Sequence, residues 1–212
     1  MEKWFDTIKR VLEEAYLRSE EPWRQSGMSG PEGRWISLRK PVADCVDKSG
    51  SFLDIGCANG YLLECCIKWT DERGIRIEPY GLDISERLIE LAKKRLPGYE
   101  ANFFVGNAFS WVPARRFDFV RTELVYVPGE YEKQYIRFIM ENHLEVDGKL
   151  LVANYGEGLK SAEIEKGIIK GSHATSDVLE RLQELGFTAD GYKDGYDPVK
   201  NRRVRIAILL GK

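Results

Sequence analysis

Histidine is nearly missing from this chain, with His143 and His173 the two imidazoles in 212 residues. Cysteine is scarce as well. Cys45, Cys57, Cys65 and Cys66 lie in apolar segments and form no C-x-x-C pair. So few imidazoles and no paired thiols argue against a Cys/His metal site, and no metal is expected. Unpaired cysteines in apolar surroundings are expected to be buried and reduced, as in a cytosolic protein. No apolar run approaches the roughly 18–20 residues that span a bilayer. The opening stretch, MEKWFDTIKRVLEEAYLRSE, is amphipathic and rich in Glu, without the uninterrupted apolar core of a signal peptide. An excess of one charge is also lacking: 32 Lys and Arg stand against 34 Asp and Glu, a net charge of −2. That balance supplies no global field to recruit nucleic acid or an anionic membrane. A cytoplasmic location is the expectation.

What is present is an ordinary globular balance, 43% hydrophobic and 31% charged, organised around residues 51–60, SFLDIGCANG. An apolar run meets Asp54, and Gly56 and Gly60 then bracket Cys57-Ala58-Asn59 before a helical pattern begins. This is the pattern of a buried strand, a tight turn and a helix start, where backbone groups come close to a ligand. Upstream, Trp4, Phe5, Ile8, Val11, Leu12, Ala15 and Tyr16 share one face of a helix over residues 2–18. That helix either packs on the domain or covers a ligand pocket. Residues 20–37, with three glycines and two prolines, are expected to be a loop in which Trp23 anchors to the core and Arg34-Trp35 can reach the ligand. A short helix over Leu38–Val46 follows.

Downstream, helices are expected over Tyr61–Arg73, stopped by Gly74, from the N-cap Ser85 to Leu96, and around Tyr131, Tyr135, Phe138 and Ile139. A last helix carries Val178, Leu179, Leu182 and Leu185, with Thr175 or Ser176 as its cap. Between the helices lie strands at Tyr80–Asp83, Asn102–Val105, Phe117–Val120 and Lys149–Ala153, the last entered by a turn at Asp147-Gly148. Residues 157–173 carry little pattern. Phe187–Tyr196 and Val204–Leu210 are strands too closely spaced for a crossover helix, hence antiparallel neighbours. The fold class is therefore α/β: a Rossmann-like doubly wound sheet of about seven strands, mostly parallel with an antiparallel C-terminal strand, and helices on both faces. Ligands on such sheets bind beyond the carboxyl ends of the strands. Asp54–Gly60, Asp83, Asn107 and Thr122–Tyr126 all fall at strand exits, and so share one crevice.

A carboxylate at Asp83 suits the two hydroxyls of a ribose, and Asn107 can donate and accept at an adenine edge. Ile84 and Phe109 offer apolar faces for the ring. The dinucleotide fingerprint G-x-G-x-x-G is not met, since Gly56, Ala58 and Tyr61 occupy its positions.

In order along the chain, LDIGCANG, YGLDIS, VGNAF, FDFVRTELVYV and VDGKLLVANY resemble the motifs of class I S-adenosylmethionine-dependent methyltransferases. The terminal strand pair resembles that family's closing hairpin. The resemblance covers residues 38–212, and two positions depart from it: Ala58 replaces the middle glycine and Asn107 an aspartate. It implies S-adenosyl-L-methionine as cofactor and S-adenosyl-L-homocysteine as product. It implies that Asp54 and the backbone of Gly56, Cys57, Ala58 and Gly60 hold the methionine end, and that Asp83 binds the ribose. It places Ile84 against the adenine, Asn107 and Ala108 at its edge, and Thr122 and Glu123 along the methionine end through backbone or side chain.

Glu123 is either a general base or a carboxylate contacting the cofactor's amine, and Tyr126 and Tyr155 either touch the acceptor or form pocket wall. Glu123 and Tyr126 are thus the candidate catalytic groups, and Trp35, Tyr126 and Tyr155 the candidate acceptor contacts. Residues 1–37 match no motif and are expected to form a lid. His143 is expected to be structural, His173 a solvated loop residue, and the basic runs Lys93-Lys94-Arg95 and Arg202-Arg203 plain surface. The aromatic lid favours a small acceptor over RNA or protein. A non-catalytic cofactor-binding regulator is the remaining alternative.

Overall fold

Runs such as Phe52-Leu53-Asp54-Ile55 and Phe117–Val120 are apolar on both alternating faces, the mark of strands covered by helices on each side. In the computed structural model, which describes residues 2–155 and 177–211, they form the centre of a seven-stranded sheet. The strands are β1 (Gly50–Ile55), β2 (Ile77–Asp83), β3 (Phe103–Val105), β4 (Phe117–Glu123), β5 (Leu144–Ala153), β6 (Gly191–Asp197) and β7 (Arg202–Leu210). Their order is β3-β2-β1-β4-β5-β7-β6. The five strands from β3 to β5 run parallel, and β7 enters antiparallel between β5 and β6. The chain winds outward from β1 in both directions, so the strand order reverses beside β1 and opens a crevice at its carboxyl end.

Helices α1 (Glu2–Tyr16), α2 (Glu32–Asp44), α3 (Tyr61–Asp71), α4 (Glu86–Arg95), α5 (Glu132–Asn142) and α6 (Val178–Glu184) complete the described architecture. Strand alternation divides the core in two. Phe52 and Phe119 pack with Leu38, Leu63 and Cys66 of α2 and α3. Leu53, Ile55, Val120 and Val152 pack on the other face with Tyr135, Ile136 and Ile139 of α5 and Leu182 of α6. The parity also sorts polar residues, because Asp54, Arg121 and Glu123 follow the face of Phe52 and Phe119, whereas Thr122 follows Val120.

Local signals held where the chemistry was local. Ser85 caps α4 by accepting the Leu88 N–H at 3.2 Å. Gly74 and Gly186 take left-handed φ values of 72° and 85° just beyond α3 and α6. Three expectations are corrected. The segment 20–37 is not wholly loop, since α2 begins at Glu32 with Pro31 at its N-cap, and Arg34 and Trp35 lie inside the helix. Proline before a helix is a start signal, which the neighbouring glycines masked. Asp147-Gly148 does not precede β5 but sits within it, where Asp147 adopts φ 60° and the register with β4 shifts between Phe117 and Phe119. The cap of α6 is Asp177, whose carboxylate accepts the Leu179 N–H at 2.9 Å. Thr175, Ser176, His173 and the segment 157–173 lie outside the described residues.

One long-range ion pair ties α2 to the edge of the sheet. Arg34 donates from Nε and Nη2 to the two carboxylate oxygens of Asp197 at 2.9 and 2.7 Å, and both side chains are buried. Asp197 Oδ1 also accepts the Val199 and Lys200 N–H groups that open the β6–β7 turn. The hydrogen bonds from Arg34 hold the Asp197 carboxyl at about 2, below its ordinary value of 3.8. Its stabilising contribution is therefore complete above the ordinary value and is lost as pH falls through about 4 to 2. Removing one partner of a buried pair strands the other charge. Asp197→Ala is expected to lower the unfolding free energy by about 3–5 kcal/mol, measured by urea denaturation at pH 7, and to remove part of the acid sensitivity seen below pH 4.

Candidate active site

The turn after β1 takes its shape from residues with positive φ: Gly56 at 74°, Ala58 at 48° and Gly60 at 75°. A side chain at Gly56 would collide with the ring of Tyr126, which lies directly on it. Ala58 accepts a conformation disfavoured for L-residues, a local cost of the kind that functional loops retain. The amides of this turn point inward. Gly56 and Cys57 both donate to the Leu82 carbonyl, at 2.7 and 3.1 Å, and Gly60 donates to the Cys57 carbonyl at 2.9 Å. Ala58 donates to Asp83 Oδ2 at 2.9 Å, and Tyr61 to Asn59 Oδ1 at 3.2 Å. The Cys57 side chain is buried in the α2–α3 core. The loop thus offers its backbone shape, not a fan of N–H donors, and is unlike a phosphate cradle.

Asp83, at the end of β2, is fixed by two backbone donors, Ala58 and Ser85, at 2.9 and 2.8 Å. Asp54, next to last in β1, lies directly across from Arg121 of β4, whose Nη1 lies 3.1 Å from Asp54 Oδ1. Arg121 Nη2 also pairs with Glu123, and the Tyr126 hydroxyl accepts from Arg121 at 2.9 Å and donates to Glu123 at 3.1 Å. Arg39 of α2 completes the group, its Nη2 4.0 Å from Glu123 and its guanidinium 3.4 Å above the Tyr155 ring. Burial pushes the Asp54 carboxyl up to about 6 against the pull of Arg121. Burial likewise raises Asp83 to about 6, opposed by its two N–H donors.

The N-terminal segments reach the same crevice. Ser85 Oγ donates to Glu13 of α1 at 2.6 Å. Tyr16 is close enough that, after burial itself, the carboxylates of Glu123 and Asp83 raise its phenol. Asn59, fully buried in the turn, donates to the Pro22 carbonyl at 3.1 Å and to Gln25 Oε1 at 3.0 Å.

Asp54, Gly56, Ala58, Gly60, Asp83, Glu123, Tyr126 and Tyr155 therefore converge. Ile84, Ala108 and Phe109 lie half-buried against the α5 face, where Phe109 stacks on Tyr135 with centroids 6.5 Å apart. Asn107 Oδ1 is taken by the Phe109 N–H at 2.9 Å, so its side chain shapes the turn after β3. The Thr122 side chain turns away, its hydroxyl 2.6 Å from that of Tyr135, as its strand parity requires, which leaves its backbone at the β4 exit. One placement differs from expectation. Trp35 is sealed in the core on Tyr61 and Trp69, with centroids 4.6 and 6.2 Å away, because it lies on the inner side of α2. Arg39 and Arg121 were missed. A lone arginine inside the buried run FDFVRTE was a legible sign of Arg121, whereas nothing local distinguished Arg39.

This fold is that of class I S-adenosylmethionine-dependent methyltransferases. A family model described as "Methyltransferase domain" matches residues 46–186, and the chain belongs to that family. Among solved structures, the 1,6-didemethyltoxoflavin-N1-methyltransferase of Burkholderia thailandensis, with 1,6-didemethyltoxoflavin and S-adenosylhomocysteine, is 14% identical. The match covers 100% of this chain and 90% of that one with a TM-score of 0.67. The N-methyltransferase NodS of Bradyrhizobium japonicum, with S-adenosyl-L-homocysteine, is 16% identical over 96% and 97% of the two chains, TM-score 0.63. Magnesium protoporphyrin IX methyltransferase of Synechocystis PCC 6803, with the same product, is 17% identical over 98% and 99%, TM-score 0.63. No curated protein sequence gives a match.

Between about pH 4 and 6 the folded protein holds protons on Asp54 and Asp83 that the unfolded chain has released, so stability falls as pH rises through that window. Asp83→Asn is expected to flatten this slope, measured as unfolding free energy from pH 4 to 7; an unchanged slope would place the titrating groups elsewhere.

Proposed function

We propose that the crevice binds S-adenosyl-L-methionine and transfers its methyl group to a small-molecule acceptor. The observation that carries this reading is the combination of inward-turned loop amides with carboxylates at successive strand exits. Asp83, Asp54 and Glu123 line the crevice and Glu13 stands beside it, against the guanidiniums of Arg121 and Arg39. Such a site favours a ligand carrying positive charge and hydroxyls, and disfavours a diphosphate. The donor set fits the cofactor. Asp83 retains lone pairs for ribose hydroxyls beyond those used by Ala58 and Ser85. Ile84, Ala108 and Phe109 form an apolar wall for the adenine, and Asp54 with the Gly56–Gly60 backbone suits the amino-acid end.

When bound, the cofactor supplies an activated methyl on a sulfonium. The protein's own task is then alignment: an acceptor must be held in line with that methyl while water is kept out. The Arg121 contacts fix the Glu123 carboxylate and the Tyr126 hydroxyl at the β4 exit, beside the place the acceptor must occupy. There Glu123 can accept a proton from an acceptor that carries one. In this reading α1 and the segment around Pro22 and Gln25 serve as the cover, supported by the contacts of Glu13 with Ser85 and of Pro22 and Gln25 with Asn59. Enclosure of that kind favours a small acceptor over a macromolecular one.

Titration calorimetry tests the cofactor reading. S-adenosyl-L-homocysteine is expected to bind, and Asp83→Ala to weaken it by roughly tenfold or more while cooperative unfolding is retained. No heat with either S-adenosylmethionine or its product would refute it. Hydrogen exchange tests the cover: bound product is expected to slow amide exchange in residues 2–26, and equal exchange with and without it would detach this segment from the site.

A further inference from the structure

Arg39 is charged, buried and incompletely satisfied. It is 5% exposed, and its Nη1 has no hydrogen-bond partner among the described residues. Its nearest carboxylate, Glu123, stands 4.0 Å from Nη2, beyond hydrogen-bond distance. Glu123 is itself already engaged by Arg121 and by the Tyr126 hydroxyl. The guanidinium carbon lies 3.4 Å from the centroid of the Tyr155 ring, a cation–π contact that holds the group in place and leaves Nη1 as its open donor. A buried guanidinium donor left without a partner is costly, and native structures keep such groups where a ligand completes them. Planar forks of this kind match carboxylates.

Position assigns the ligand. Asp83 ends β2, Asp54 is next to last in β1, Glu123 ends β4 and Tyr155 follows β5, in the spatial order of the sheet. At about 4.8 Å per strand, Tyr155 lies three strands and roughly 14 Å from the ribose carboxylate. A cofactor anchored at Asp83 and running over Gly56 covers the β1 and β4 exits. Arg39 over Tyr155 stands on the far side, against the acceptor.

Building on the cofactor reading above, we infer that Arg39, stacked on Tyr155, is the specificity residue for the acceptor and binds a carboxylate on it, so that the substrate class is an organic acid. The test uses benzoate as a simple organic carboxylate and benzamide as its neutral counterpart. Each is titrated into the free protein and into protein saturated with S-adenosylhomocysteine. Benzoate is expected to bind the saturated wild type about tenfold more tightly than benzamide. Arg39→Gln is expected to erase that preference while leaving affinity for S-adenosylhomocysteine within about threefold. Arg39→Lys, which keeps the charge and loses the fork, is expected to be intermediate and serves as the readout if the glutamine variant does not fold. Equal binding of the two probes to the wild type, or a preference that survives in the folded variants, overturns the inference. So does a tenfold loss of S-adenosylhomocysteine affinity in Arg39→Gln with benzoate unaffected, which would give the guanidinium to the cofactor's own carboxylate. If the wild type does not bind S-adenosylhomocysteine, the cofactor reading fails by itself, and the benzoate preference of the free protein decides the role of Arg39.

Discussion

The pairing of Asp54 with Arg121 is the contact on which the site depends. It joins the carboxyl ends of β1 and β4, the two central strands, at the point where the winding of the sheet reverses. Both side chains are nearly inaccessible to solvent, so neither charge can be left alone. Arg121 also holds Glu123 and the Tyr126 hydroxyl, and the Tyr126 ring rests on Gly56. One guanidinium therefore sets the positions of the acid at the glycine turn, the acid at the β4 exit and the aromatic floor between them.

A second consequence is electrostatic. The glycine turn spends its amides on Leu82, Cys57, Asp83 and Asn59. It gives up the anion-binding capacity that a strand–turn–helix junction normally has. Carboxylates take over as the dominant charges of the crevice, and burial raises Asp54 and Asp83 among them to about 6, leaving both largely ionised at neutral pH. Charges of that sign are complementary to cations and hydroxyls. They also explain how a chain of nearly balanced net charge can present a strongly polar interior edge.

The N-terminal segments depend on the same framework. Ser85 works at once as the cap of α4, as a donor to Asp83 through its amide and as the attachment for Glu13. Asn59 does the same for the segment around Pro22 and Gln25. The N-terminal segments and the crevice thus share side chains, so a change in one is felt by the other without any long relay.

Much of this was determined by sequence alone. The alternation of apolar strands and amphipathic helices, the cap at Ser85, the glycine stops and the order of acids at strand exits are local properties, set by periodicity and backbone preference within about ten residues. They were enough to place Asp54, Asp83 and the glycine turn together in one crevice. The tertiary structure decided what periodicity cannot express. A period of two separates Thr122 from Glu123 without saying which helix each meets, and only packing sends Thr122 to Tyr135 and Glu123 to Arg121. The helical start at Pro31 was outweighed locally by glycines and is secured by an ion pair to Asp197 at the far end of the chain. The same helix turns Trp35 into the core and Arg39 toward Tyr155. Whether the aromatic or the cation of this helix faces the crevice is settled by the angle at which the helix docks on the sheet, a sum of distant contacts that no short window of sequence contains.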